Sequence, residues 1–153
     1  MKIIVIHGPN LNLLGSRQTQ FYGNDTLESL NTSIADYAIK NNAIVTCVQY
    51  NSEGDLVDVI QKSGGHDFII INPAAYTHTS IAMRDALLAI NVPFIEVHLS
   101  NIFARENFRH TSYFSDIAVG VVSGLGVNGY LFAMNYAINT LLERKKINGH
   151  QEN

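Results

Sequence analysis

The chain has one cysteine, no tryptophan and only three prolines in 153 residues. A single thiol excludes an internal disulfide, and Cys47, set in an apolar stretch, reads as an inert buried thiol. Charge is scarce as well. Asp, Glu, Lys and Arg make up 15% of the residues, against about 25% in an ordinary soluble domain. Ten basic residues face thirteen acidic ones, for a net charge of −3, which leaves no basic stripe for a nucleic acid. No apolar run approaches the roughly 20 residues of a membrane span. The opening run Met1–Ile6 is broken by Gly8-Pro9 too early for a signal peptide, so the expected location is the cytoplasm. The histidines lack metal-ligand spacing and Cys47 has no partner, so no metal is expected. What is abundant is apolar surface, 46% of residues. It implies a sheet covered on both faces or a homo-oligomer.

Apolar runs and helical repeats alternate along the chain. Ile3–His7 reads as a strand, followed by a loop to about Asn24. Asp25, with Glu28 three residues on, resembles an N-cap. Leu27, Leu30, Ile34, Tyr37 and Ala38 then recur at helical spacing as far as Lys40. Further strands are expected over Ala43–Tyr50, Asp67–Asn72, Phe94–His98 and Ile117–Val122, and helices over Glu53–Ser63, Thr79–Asn91 and Leu125–Lys146, with a short helical turn over Asn101–Glu106. The predicted architecture is one α/β domain, residues 1–146, with a fraying polar tail over 147–153. Five apolar strands separated by helices imply a parallel sheet with helices on both faces. The flavodoxin-like order 2-1-3-4-5 is expected, which opens a crevice at the carboxyl ends of the first and third strands.

The polar residues gather where such a crevice would lie. Asn10, Asn12, Arg17 and Tyr22 follow the first strand. Asn72 and His78 follow the third, and Asp85 is on the next helix. Glu96 and His98 sit two apart on the fourth strand and therefore on one face. Leu99 and Ser100 come next, and Arg105 and Arg109 share a face if their stretch is helical. Taken singly, His98 could be a satisfied core histidine, Tyr22 a packed loop aromatic, and Asp85 and Arg84 solvated helix charges. His7, His66, His110 and His150 carry no pattern that defines a site.

Three motifs carry a resemblance. Gly8-Pro9-Asn10-Leu11-Asn12-Leu13-Leu14-Gly15 with Arg17 and Tyr22-Gly23, then Ile71-Asn72-Pro73-Ala74-Ala75-Tyr76-Thr77-His78-Thr79-Ser80, then Glu96-Val97-His98-Leu99-Ser100-Asn101, are similar to type II 3-dehydroquinate dehydratase. The resemblance spans nearly the whole chain and implies a flavodoxin-like fold, no cofactor, and trimers assembled into a dodecamer. It implies removal of water from 3-dehydroquinate to give 3-dehydroshikimate. Tyr22 would be the general base, with Arg17 favouring its phenolate and stabilising developing charge. His98 would be the general acid, with Glu96 orienting its ring, and Asn10 would position a water against the enolate oxygen. Asn72, His78, Asp85, the backbone of Leu99 and Ser100 at the start of a helical turn, and Arg109 would bind substrate, Asp85 reaching in from a neighbouring subunit. The chain departs from the family pattern at Gln18 and Thr19, where an acidic residue and a proline are usual, and without the proline that loop has more freedom. It also departs at Phe103 and Thr111, where histidines are common.

The five lysines, Lys2, Lys40, Lys62, Lys145 and Lys146, avoid the carboxyl ends of the expected strands. This argues against covalent imine chemistry. Two rival readings remain. Gly124-Leu125-Gly126-Val127-Asn128-Gly129 matches the dinucleotide fingerprint between a strand and a helix. The bland reading of the same glycines is close packing of a helix on the sheet. A catalytically silent binding domain of the same fold is the other rival.

Overall fold

The computed structural model describes residues 1–16 and 25–149. Its strands are β1 (Lys2–His7), β2 (Ile44–Gln49), β3 (Phe68–Asn72), β4 (Phe94–His98) and β5 (Gly120–Ser123). The helices are α1 (Leu27–Lys40), α2 (Glu53–Lys62), α3 (Ile81–Ile90) and α4 (Asn128–Gly149). All strand pairs are parallel, as the alternation of apolar runs and helices implied, and the order is β2-β1-β3-β4-β5, the flavodoxin-like order expected although periodicity does not fix it.

Strand alternation splits the core into two layers. Ile3, Val5, Phe68, Ile70, Ile95 and Val97 face α1 and α4, meeting Leu30, Ile34, Tyr130, Met134 and Ile138. Ile4, Ile6, Ile69, Ile71 and Phe94 face α2 and α3, meeting Leu56, Ile60, Met83 and Leu87. The scarcity of charge is thus explained in part by a sheet covered on both sides. Cys47 packs partly buried against the first layer, and burial pushes its thiol up to about 11, which leaves little reactive thiolate at neutral pH.

Several boundaries differ from the sequence reading. The N-cap of α1 is Thr26, not Asp25. Thr26 and Ser29 form the reciprocal capping box, because a serine hydroxyl at the third helical position closes it as well as Glu28 would. Ala74–His78 is a 3-10 turn, so α3 starts only at Ile81, capped by the Ser80 side chain. The residues Ile117 and Ala118 belong to a turn closed on the Phe114 carbonyl, and pairing with β4 starts at Val119, which shortens β5. Instead of one helical stretch after β4 there are two 3-10 turns, Ile102–Ala104 and Asn107–Arg109. At the end of the chain α4 runs three residues past Lys146, to Gly149.

Glycine is required at the exit of β1. A Cβ on Gly8 would lie 2.6 Å from the Pro73 carbonyl oxygen, and the Gly8 N–H donates to the Asn72 carbonyl at 2.8 Å. The loops after β1 and β3 therefore touch, and the residues they carry share one crevice.

Candidate active site

The crevice at the carboxyl edge of the sheet is a cavity of about 320 Å³ lined by Asn10, Asn72, His78, His98, Leu99, Ser100, Arg105 and Arg109, among others. Of the described residues singled out in the sequence, Asn12, Asp85 and Glu96 are not among those lining it. Arg17 and Tyr22, together with Gln18 and Thr19, lie outside the described residues. Asp85 is exposed on α3.

The deepest pair is Glu96 with His98. Both are buried at the end of β4, and His98 Nε2 lies 2.6 Å from Glu96 Oε1. The ionised carboxylate has no proton to give, so Nε2 carries one and the imidazole is oriented. Ser112 and Ser115 add hydroxyl donors to the same carboxylate at 2.8 and 2.6 Å. Burial pushes the Glu96 carboxyl up. The hydrogen bonds from His98, Ser115 and Ser112, together with the His98 charge, outweigh it and hold the group below the usual carboxylate range. Nothing in the spacing of Ser112 and Ser115 pointed to this role. Ser112 Oγ also accepts from the N–H groups of Phe114 and Ser115. The tight turn this makes is the signal a sequence reading could have used.

Around this pair the rim is cationic and amide-rich. Arg105 reaches Ser100 Oγ at 3.3 Å. Glu106 Oε2 holds Arg109 Nε at 2.8 Å and Arg105 Nε at 3.6 Å, so the two guanidiniums converge even though no continuous helix joins them. His78 donates through Nδ1 to the Thr111 carbonyl at 2.7 Å. Asn10 has φ of 68°, a left-handed conformation that asparagine tolerates better than most residues. Its N–H donates to Asn51 Oδ1 at 2.9 Å, and Gln49 Nε2 and the Tyr76 hydroxyl brace Asn51 in turn. Asn51 was not singled out in the sequence.

Two sequence-based expectations are corrected here. The turn after Leu99 and Ser100 begins only at Ile102, capped by the Asn101 side chain, so Leu99 and Ser100 line the pocket from the end of β4 and do not open a helix. Arg84 is not a solvated charge. It forms a two-pronged pair with Asp116, one contact at 2.9 Å, and donates to the Tyr113 carbonyl.

The glycine-rich stretch after β5 supports the pocket from behind. Gly124 N–H donates to the His98 carbonyl at 3.2 Å and Gly126 N–H to the Leu99 carbonyl at 3.0 Å. A Cβ on Gly124, at φ +88°, would meet Asn101 Cβ at 2.9 Å. Amides committed to the His98 and Leu99 carbonyls cannot cradle a pyrophosphate; close packing explains Gly124 and Gly129, and a left-handed φ of +56° explains Gly126. None of the lysines lines the cavity. Among the described residues no group of three or more His, Cys, Asp or Glu could hold a metal ion, and no helix is long and apolar enough to cross a membrane.

His7, set aside in the sequence, is buried at the end of β1. Burial pushes its imidazole down to about 4, against a smaller opposing effect of the hydrogen bond to Asn31. The unfolded chain therefore binds this proton more readily between pH 6.5 and about 4, and stability falls as pH drops through that window. The loss expected at its lower end is about 3 kcal/mol. Denaturant midpoints for the protein and for His7→Asn should diverge at neutral pH and converge toward pH 4, and parallel curves would contradict the assignment.

The chain matches the family model described as dehydroquinase class II over residues 1–138. It is 58% identical over 139 residues to a 3-dehydroquinate dehydratase of Nitrosomonas eutropha, covering 90% of this chain and 96% of that one. Identity to a 3-dehydroquinate dehydratase of Haemophilus influenzae is 53% over 144 residues, covering 94% and 97%. The crystal structure of a type II dehydroquinase from Butyrivibrio crossotus superposes with a TM-score of 0.87 at 46% identity, covering 90% of this chain and 97% of that one.

Proposed function

The chain belongs to the class II dehydroquinase family, and from that premise we propose that it removes water from 3-dehydroquinate by anti elimination through an enolate, giving 3-dehydroshikimate. The observation that carries the proposal is the buried Glu96–His98 pair opening into a cavity rimmed by Arg105 and Arg109. The substrate is an anion bearing a carboxylate, a ketone and several hydroxyls, and such a cavity suits it.

Tyr22 takes the proton from the carbon beside the ketone. An unperturbed phenol titrates at about 10, so the Arg17 guanidinium is assigned to favour the phenolate. Electron density moves onto the ketone oxygen, where Asn10 holds a water against the enolate. The enolate then collapses and expels the hydroxyl, which His98 protonates. Because Nε2 is committed to Glu96, the transferred proton comes from Nδ1. The acid form is therefore an imidazolium, whose charge the Glu96 carboxylate balances. Arg109 pairs with an anionic oxygen of the substrate, Leu99 and Ser100 present backbone to its carboxylate, and Asn72 and His78 take ring hydroxyls.

Asp85, exposed on α3, is assigned to a neighbouring subunit's site, which makes a trimer the working unit and a dodecamer of trimers its assembly. The cycle consumes no electrons and needs no cofactor. The route to aromatic amino acids, in the cytoplasm, is the role assigned to this reaction. Incubation with 3-dehydroquinate should produce the ultraviolet absorbance of a conjugated enone. A flat trace at high enzyme concentration would reject the activity.

A further inference from the structure

The Glu96 carboxylate accepts from three side chains, and two of them come from one short turn. Its Oε1 takes the His98 Nε2–H at 2.6 Å and the Ser112 hydroxyl at 2.8 Å, and its Oε2 takes the Ser115 hydroxyl at 2.6 Å. The turn is held by contacts of its own. Phe114, between the two serines, is fully buried in the core layer under α2 and α3. The Tyr113 N–H donates to the Thr77 carbonyl at 2.9 Å. Arg84 donates to the Tyr113 carbonyl at 2.7 Å and pairs with Asp116. Both hydroxyls are therefore fixed against the carboxylate in advance.

Ser112 acts in one direction only. Its oxygen accepts from the N–H groups of Phe114 and Ser115 at 3.0 and 3.2 Å. Both of its lone pairs are then used, and its single proton goes to Glu96 Oε1. With His98 on the same oxygen, Oε1 has no lone pair left for a proton of its own. A proton can settle only on Oε2, and there Ser115 must first turn from donor to acceptor.

The strength of the acid depends on this arrangement. A buried carboxylate with no other donor, 2.6 Å from an imidazole, would hold the ring strongly in its protonated form. An acid held that way gives its proton to a leaving group more slowly. Hydroxyl donors share the carboxylate charge. They stabilise the pair most once His98 has given up its extra proton, because that charge is then unbalanced.

We propose that Ser112 and Ser115 are positioning residues that tune His98 as the general acid by sharing the charge of the Glu96 carboxylate. The role rests on the reading of His98 as that acid. Neither serine is among the residues lining the cavity, so both act through Glu96. The other charged or titratable groups around the pair are His78 from the turn after β3, and Arg105 and Arg109 beyond β4 with Glu106 between them. Arg84 of α3 is committed to Asp116. Among the described residues none of these bonds to Glu96 or His98, whereas both serines bond to Glu96.

The test is the pH dependence of Ser115→Ala, read in two ways. The isotope-labelled His98 imidazole of the free enzyme, followed by NMR and assigned by its loss in His98→Asn, should titrate about half a pH unit to one higher in the variant. In steady-state kinetics with 3-dehydroquinate the basic limb of kcat should move up with it. The plateau should be about two- to fivefold lower, with KM within about twofold of the parent. The acidic limb, assigned to Tyr22, should stay in place. Ser112→Ala should move the basic limb the same way, but it also strips two amides of their acceptor, so Ser115→Ala, which leaves the turn intact, decides the matter. Ser115→Thr keeps the hydroxyl and should restore both readouts. In a Glu96→Gln background Ser115→Ala should shift neither, because the charge it shares is gone. A merely structural role would lower the active fraction and leave the limb and the His98 titration where they were. That pattern, a downward shift, or an equal shift in the Glu96→Gln background overturns the proposal. The two levels separate cleanly. A parent without turnover rejects the reaction, whereas a parent with turnover whose basic limb ignores Ser115→Ala rejects only the serine role.

Discussion

Replacing Tyr22 by phenylalanine is expected to lower kcat about 10³-fold, within the range that a general base contributes, while KM stays within a few-fold of the parent. The substitution keeps the ring and deletes the one atom that can accept the α-proton. Substrate contacts assigned to Asn72, His78 and Arg109 are untouched, so binding should survive. The pH profile should change with it. An enzyme that depends on a phenolate gains activity as pH rises until the general acid loses its proton. The variant should lose the acidic limb, because no phenol remains to titrate. Arg17→Ala should mimic the variant in kcat but keep an acidic limb, displaced to higher pH, since the cation that favours the phenolate is gone. Turnover at the parent rate in Tyr22→Phe would show that another group is the base.

The second large effect is expected at Glu96. Glu96→Gln is nearly isosteric, but it removes the charge and one of the two oxygens on which His98, Ser112 and Ser115 converge. The protonated form of His98 loses its counter-charge, so kcat should fall about 10²-fold with little change in KM. At least one hydroxyl donor must turn away from the new NH2 group, and stability should drop by about 2 kcal/mol.

The sign of the pH dependence follows from the direction of the Glu96 shift. Its carboxyl is held below the ordinary value of 4.5, so it binds a proton less readily folded than unfolded. Its stabilising contribution is present above pH 4.5 and disappears as pH falls through the folded value. Denaturation of parent and variant should therefore differ most near neutrality and converge below pH 4.5. This window begins at pH 4.5, near the lower end of the one assigned to His7, so a loss between pH 6.5 and 4.5 belongs to His7 and one that continues below pH 4 to Glu96. A constant difference down to pH 3 would mean that the Glu96 charge is not what stabilises the pair.

Much of this was legible along the chain because it depends on short-range periodicity. Alternation of two marks β4 and sets Glu96 and His98 on one face. Helical repeats marked α1, and Gly8-Pro9-Asn10 marked the end of β1. Boundaries slipped where a side chain, not the pattern, decides them. Thr26 outcompetes Asp25 as a cap because Ser29 answers it, and Ile117 reads as strand although the Phe114 carbonyl holds it in a turn.

By itself, then, the sequence determined the alternation of strands and helices, the inward face of each, and the chemistry offered at the strand ends. Tertiary structure alone decided which groups meet. Ser112 and Ser115 reach Glu96 across 16 and 19 residues, and Tyr130 reaches His7 across 123. It also committed the Gly124 and Gly126 amides to the His98 and Leu99 carbonyls, which removed a nucleotide fingerprint from contention. The reason is physical. Periodicity is a property of neighbours a few residues apart, whereas a buried polar group must find a partner wherever packing brings one within about 3 Å, and that partner's place in the chain is unconstrained.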